Sequence, residues 1–161
     1  MEDIARINTL QWEKYFLCVF EYEETSRSVN GIYYTVYDGA GWSQPAPLSL
    51  LEGQKIVENK AQLPRIAFSR QNKVMCVFQM ETSPKSENMD IYYATFYYDA
   101  YSRQLKWTPA RKIIDSSISD ISRTTRTEPQ LVIDNYGNAT FIYREGSDLN
   151  SSKVIKAIRF E

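Results

Sequence analysis

Apolar residues along this chain alternate with polar ones or gather in short unbroken runs. No window carries the i, i+3, i+4, i+7 stripe of an amphipathic helix. The strongest runs are Tyr15 to Tyr22, Ile32 to Tyr37, Val74 to Met80, Ile91 to Tyr98, Ala139 to Tyr143 and Val154 to Phe160. Ile4 to Leu10, Arg65 to Ser69 and Gln130 to Ile133 are weaker runs of the same kind. Tight-turn signals separate them: Asp38-Gly39-Ala40-Gly41, Arg70 to Asn72, Asp99 to Gln104 and Asp134 to Asn138. Trp42 to Leu48 and Lys106 to Ile114 contain proline and read as edge strands. The pattern predicts an all-β chain.

The runs repeat in order. Phe16-Leu17-Cys18-Val19-Phe20 matches Val74 to Phe78, which matches Ala139 to Tyr143. Gly31-Ile32-Tyr33-Tyr34-Thr35 matches Asp90 to Ala94, and Trp42-Ser43-Gln44-Pro45 matches Trp107-Thr108-Pro109. Pro64 to Phe68 likewise matches Pro129 to Ile133. A period of roughly 60 residues with about four strands per unit predicts a radial or stacked repeat fold within a single domain. The units cover approximately 4–50, 63–115 and 128–161.

The third unit shows no fourth strand, and three units are too few to close a propeller, which typically needs 4–8 blades. Bare strand edges are avoided in folded proteins. The expectation is therefore a partial β-propeller of about three four-stranded antiparallel blades, the last incomplete. A second chain would complete the ring, either another copy, giving six blades, or a different polypeptide.

Antiparallel neighbours send successive connections to alternate ends of each sheet. Most long polar segments then fall at one end: 23–30, 51–62, 81–90, 115–128 and 145–153. Function tends to sit on loops held by a rigid scaffold, so this end is the expected binding face. Its second-to-third loops open with Glu24-Thr25-Ser26, Glu81-Thr82-Ser83 and Glu145-Gly146-Ser147. A carboxylate beside a hydroxyl suits sugar hydroxyls or partner amides, although the same residues also serve local turns. Arg65 and Gln130 follow the prolines of inner strands and are expected to face a central channel; Arg65 there would suit a carboxylate or phosphate, or a salt bridge. Arg123 and Arg126, with Lys60, form a modest basic group on the same face. Trp42 and Trp107 are candidate ligand platforms, with packing between sheets as the ordinary alternative.

Composition narrows the function classes. The chain of 161 residues has a net charge of −1, which gives no electrostatic case for nucleic acid or an anionic membrane. No apolar run approaches the roughly 18 residues that span a bilayer. The start, MEDIARINTL, lacks the apolar core of a secretory signal, and the expectation is a cytoplasmic protein. Cys18 and Cys76 occupy equivalent places in successive units and read as small buried residues rather than a disulfide. With no His, Ser-His-Asp and Cys-His catalysis and most zinc sites are excluded. No glycine pattern for a nucleotide is present, so no cofactor is expected and no metal.

The segment Gly31 to Gly39 followed by Trp42-Ser43-Gln44-Pro45 resembles the repeats of sialidase-like β-propellers and related six-bladed propeller lectins. The sialidase Asp-box, Ser-x-Asp-x-Gly-x-Thr-Trp, has its nearest counterpart at Asp134 to Phe141, which lacks the leading Ser and has one extra residue before Gly137. The resemblance implies a fold more than an activity. Sialidase chemistry would need a Tyr nucleophile with an Arg cluster, and other glycosidases two placed carboxylates; no spacing here selects either. The function expected is a non-catalytic binding or assembly module, with a glycan-binding propeller lectin and a glycosidase fragment as alternatives.

Overall fold

The computed structural model describes residues 4–12, 15–24, 29–48, 60–69, 73–82, 88–102, 104–113, 125–146 and 154–160. They form three antiparallel sheets, one per repeat. The first runs in order β1 (Ile4–Trp12), β2 (Tyr15–Glu24), β3 (Val29–Tyr37) and β4 (Ala46–Pro47). The second contains β5 (Ala61–Phe68), β6 (Val74–Glu81), β7 (Met89–Asp99), β8 (Gln104–Trp107) and β9 (Arg111–Lys112). The third is β10 (Thr125–Ile133), β11 (Ala139–Gly146) and β12 (Val154–Phe160).

Proline sets the departures from the expected strand bounds. The strand expected over Trp42 to Leu48 shrinks to Ala46–Pro47, preceded by a single bridge between Tyr37 and Trp42. Pro45 and Pro47 have no N–H for a ladder, and pairing resumes with Leu48 N–H donating to the Ile32 carbonyl at 2.7 Å. The strand expected over Lys106 to Ile114 is likewise split at Thr108-Pro109-Ala110 into β8 and β9, both paired with β7. The inner strands β5 and β10 begin earlier than expected. Leu63-Pro64 and Glu128-Pro129 do not start the strands but sit inside them as bulges, each pair opposite one residue of the neighbouring strand. Leu63 and Glu128 both have φ of +57°, the left-handed region that non-glycine residues seldom occupy.

The sheets stack face to face. β6 is buried from Val74 to Met80, and its alternate side chains go to opposite neighbours. Cys76, Phe78 and Met80 pack with Val19 and Ile32 of the first sheet, while Met75 and Val77 pack with Phe141 and Tyr143 of the third. A run apolar at every position is what a strand covered on both faces requires. Leu17, Val74 and Phe96 extend the first interface towards the short turns. Cys18 and Cys76 are free thiols; Cys76 is buried as expected, whereas Cys18 is only half-buried.

Candidate functional site

A cleft of about 760 Å³ opens between the first and second sheets at the short-turn end. Its lining includes Tyr15, Tyr34, Trp42, Gln44, Tyr98 and Gln104. Two hairpin tips form the walls, and an aspartate pins each. In the β3–β4 connection, Asp38 Oδ1 accepts from the N–H groups of Ala40 and Gly41 at 2.9 and 3.1 Å. Gly39 has φ of +100°, which glycine reaches without a Cβ penalty. Ser43 N–H donates to the Val36 carbonyl at 2.8 Å, and Thr35 Oγ1 donates to the Ser43 carbonyl at 2.7 Å. Trp42 is thus held on an ordered tip, its ring 5.4 Å from that of Tyr37, and remains 56% exposed.

The opposite wall is the β7–β8 hairpin. Asp99 Oδ1 accepts from Tyr101 N–H at 3.0 Å, and Oδ2 accepts from Ser102 Oγ at 2.6 Å and Lys106 Nζ at 2.8 Å. Those hydrogen bonds, the one from Lys106 foremost, hold the Asp99 carboxyl well below the usual carboxylate range. Tyr98, 55% exposed, stands at the head of this turn. At the floor, burial pushes the Tyr34 phenol up, partly offset by the Lys106 charge. The cleft therefore offers exposed aromatic faces, amides at Gln44 and Gln104, and hydroxyls at Ser43 and the tyrosines. Preformed hollows of this size with an apolar lining and a few polar groups are typical of small-ligand sites.

Of the residues singled out from sequence, Trp42 is the one the cleft takes up. Trp107 is half-buried and packs inside, 4.9 Å from the Phe96 ring and 6.1 Å from that of Tyr34. At the other end of the sheets, Arg126 and Glu145 are brought together in a buried ionic cluster. Arg126 Nε donates to Glu145 Oε2 at 2.8 Å and Nη1 donates to Asp90 Oδ1 at 3.0 Å, with Lys112 paired to Asp90 Oδ2. The Arg126 side chain is only 3% exposed and so lends no charge to a basic surface. Glu81 Oε2 accepts from Lys60 N–H at 3.1 Å, tying the start of the second sheet. Arg65 Nη1 donates to the adjacent Pro64 carbonyl at 2.9 Å. Gln130 is exposed on the third sheet, and the Glu24 backbone pairs with Val29 at the end of β2. Arg123, the Glu24 side chain and most of the long-loop segments lie outside the described residues.

Tyr15, Tyr98, Gln44 and Gln104 were not singled out from sequence. The available signal was the pair of aspartate-headed hairpins, Asp38 and Asp99, each flanked by exposed aromatics; nothing in the linear order says that the two tips face each other.

No protein-family profile and no curated protein sequence matches the chain. Solved structures do. A protein of unknown function from Dyadobacter fermentans aligns with a TM-score of 0.59 at 10% identity, over 94% of this chain and 36% of its own. An α-L-arabinanase from Penicillium chrysogenum, solved with arabinobiose, gives 0.55 at 9% identity, over 96% of this chain and 45% of its own. An endo-arabinase from Bacteroides thetaiotaomicron gives 0.56 at 10% identity, over 98% and 56%. The arabinanases are five-bladed β-propellers. This chain is a partial β-propeller. It spans about half or less of those structures, and at such identity the likeness concerns the fold.

Proposed function

We propose that the protein is a non-catalytic carbohydrate-binding module on a propeller scaffold, and that sugar binds in the cleft between the first two sheets. The observation that carries this reading is the cleft's composition: Trp42 and Tyr98 on facing hairpins, with amides and hydroxyls between them. A sugar ring has an apolar C–H face that packs on an aromatic ring and a rim of hydroxyls that pairs with amides and tyrosine phenols. The likeness to arabinanases supports a carbohydrate-related scaffold. Binding without cleavage fits better than hydrolysis, because glycoside hydrolysis uses two placed carboxylates. Asp38 is the one carboxylate among the described lining residues, and its Oδ1 is committed to two backbone N–H groups.

The test is titration of the protein with a panel of neutral oligosaccharides, arabinan-derived ones included, followed by tryptophan fluorescence or calorimetry. Saturable binding is expected, weakened about tenfold in Trp42→Ala, on the order of 1.4 kcal/mol for loss of one aromatic face. Absence of saturable binding across the panel, or equal binding by Trp42→Ala, would overturn the reading.

A further inference from the structure

The two outer sheets each have a face that no other described sheet covers. In β2, Leu17, Val19 and Glu21 point to the second sheet, so Phe16, Cys18, Phe20 and Tyr22 point away from it. Phe16 is 43% exposed, Cys18 and Tyr22 are half-buried, and Phe20, at 5%, is already buried within its own chain. In the third sheet, Leu131, Phe141 and Tyr143 point to the second sheet, so Val132, Ile142 and Ile155 point away, at 59%, 36% and 74% exposure.

We propose that these two faces are the two halves of one interface, and that a second copy of this chain occupies each: the third sheet of one protomer docks on the first sheet of its partner. The repeat supplies the reason. Phe16, Cys18, Phe20 and Tyr22 stand at the positions of Val74, Cys76, Phe78 and Met80, the surface by which the second sheet docks on the first. Even the ring pairing recurs. Phe20 stacks on Tyr33 at 6.4 Å and 29°, as Phe78 stacks on Tyr92 at 6.2 Å and 17°. The uncovered face of the third sheet is the complementary half, with Thr140, Ile142 and Arg144 at the positions of Met75, Val77 and Gln79.

Only the third sheet against a first sheet reproduces the junction already made twice within the chain; first on first, or third on third, would oppose like halves. One difference follows the same logic. Glu21 and Gln79 each accept the N–H of a left-handed bulge residue in the next sheet, at 2.6 and 2.9 Å. At the third such position Arg144 cannot accept and instead donates to Glu128 at 2.8 Å. The sheet that would follow needs no such acceptor, since the β1 bulge lies between Ile4 and Ile7 and contains no left-handed residue. Two protomers related by a twofold axis would then close six sheets, within the range that propellers adopt. This inference is independent of the carbohydrate reading.

The experiment is the mass of the purified full chain in solution, by light scattering and sedimentation, for wild type, Phe16→Glu and Ile155→Glu. Wild type is expected at twice the 18.8 kDa chain mass. Each variant is expected to dissociate at least tenfold more readily, with near-ultraviolet dichroism unchanged. Mixing the two variants should restore dimer, because one intact third sheet then meets one intact first sheet. A wild-type monomer would overturn the proposal, as would a different polypeptide seated on these faces, or dissociation by Ile155→Glu alone, which would mean that like faces pair. If a variant fails to fold, the wild-type mass decides.

Discussion

The Glu21 carboxylate accepts the backbone N–H of Leu63 at 2.6 Å, joining the first sheet to a left-handed bulge in the second. Gln79 does the same one repeat later, accepting from Glu128 N–H at 2.9 Å. The residue before each proline is forced away from helical backbone, and here the chain resolves the conflict with a bulge whose N–H turns out of its own ladder. The side chain of the preceding sheet satisfies that donor. Glu21→Ala or Gln79→Ala would leave a poorly solvated N–H without its acceptor, and each is expected to cost about 1–3 kcal/mol by chemical denaturation. Glu21→Gln keeps the acceptor oxygen and should cost less than half as much; equal losses for Gln and Ala would contradict the cross-link.

The Asp90–Arg126 pair predicts a steeper loss. Asp90 is 1% exposed, and its removal takes from a guanidinium that is only 3% exposed one of its two carboxylate partners, leaving Glu145 alone to balance both Arg126 and the neighbouring Lys156. Asp90→Ala should therefore destabilise the protein by about 3–5 kcal/mol. Lys156, 41% exposed and 3.8 Å from Glu145, belongs to the rim of the same cluster. Lys156→Ala should cost less than about 1 kcal/mol. Thermal or urea unfolding of the two variants side by side checks the contrast.

Acid should loosen the β7–β8 wall of the cleft. The Asp99 carboxyl is held below its ordinary range by hydrogen bonds from Lys106 and Ser102, so its contribution is present above the unfolded carboxylate pKa and fades as pH falls from there towards the folded one. Wild type should exceed Asp99→Asn in melting temperature at neutral pH. The gap should narrow once pH drops below about 4, the unfolded carboxylate range. A gap that stays constant with pH would show that the carboxylate charge contributes nothing.

The thiols should separate by reactivity. Cys76 is fully buried, and burial pushes its thiol far up; Cys18 is half-buried and pushed up for the same reason. The thiolate is the reactive form, so in the dissociated protomer a maleimide reagent should modify Cys18 first and Cys76 only as the protein unfolds, whereas in the proposed dimer Cys18 is covered and its labelling should slow. Mass spectrometry of the labelled peptides over time provides the measurement.

The strand runs, their order, the threefold repeat and the equivalence of Cys18 with Cys76 were legible along the chain, because alternation and β-branched or aromatic runs report burial on a pleated sheet residue by residue. Even the doubly covered central strand announces itself as Val74 to Met80, apolar throughout. Three things were decided only in space. The Leu63-Pro64 and Glu128-Pro129 pairs became bulges within strands because acceptors on another sheet, Glu21 and Gln79, were there to take the freed N–H groups. Arg126 and Glu145, read as rim residues, are drawn into one buried cluster by Asp90 of the adjacent sheet. The cleft formed at the short-turn end, because stacking the first sheet on the second sets Trp42 and Tyr98 on facing walls. Periodicity encodes which side of a strand is covered; which neighbour covers it depends on contacts between residues far apart in the chain, and those are fixed only when the sheets pack.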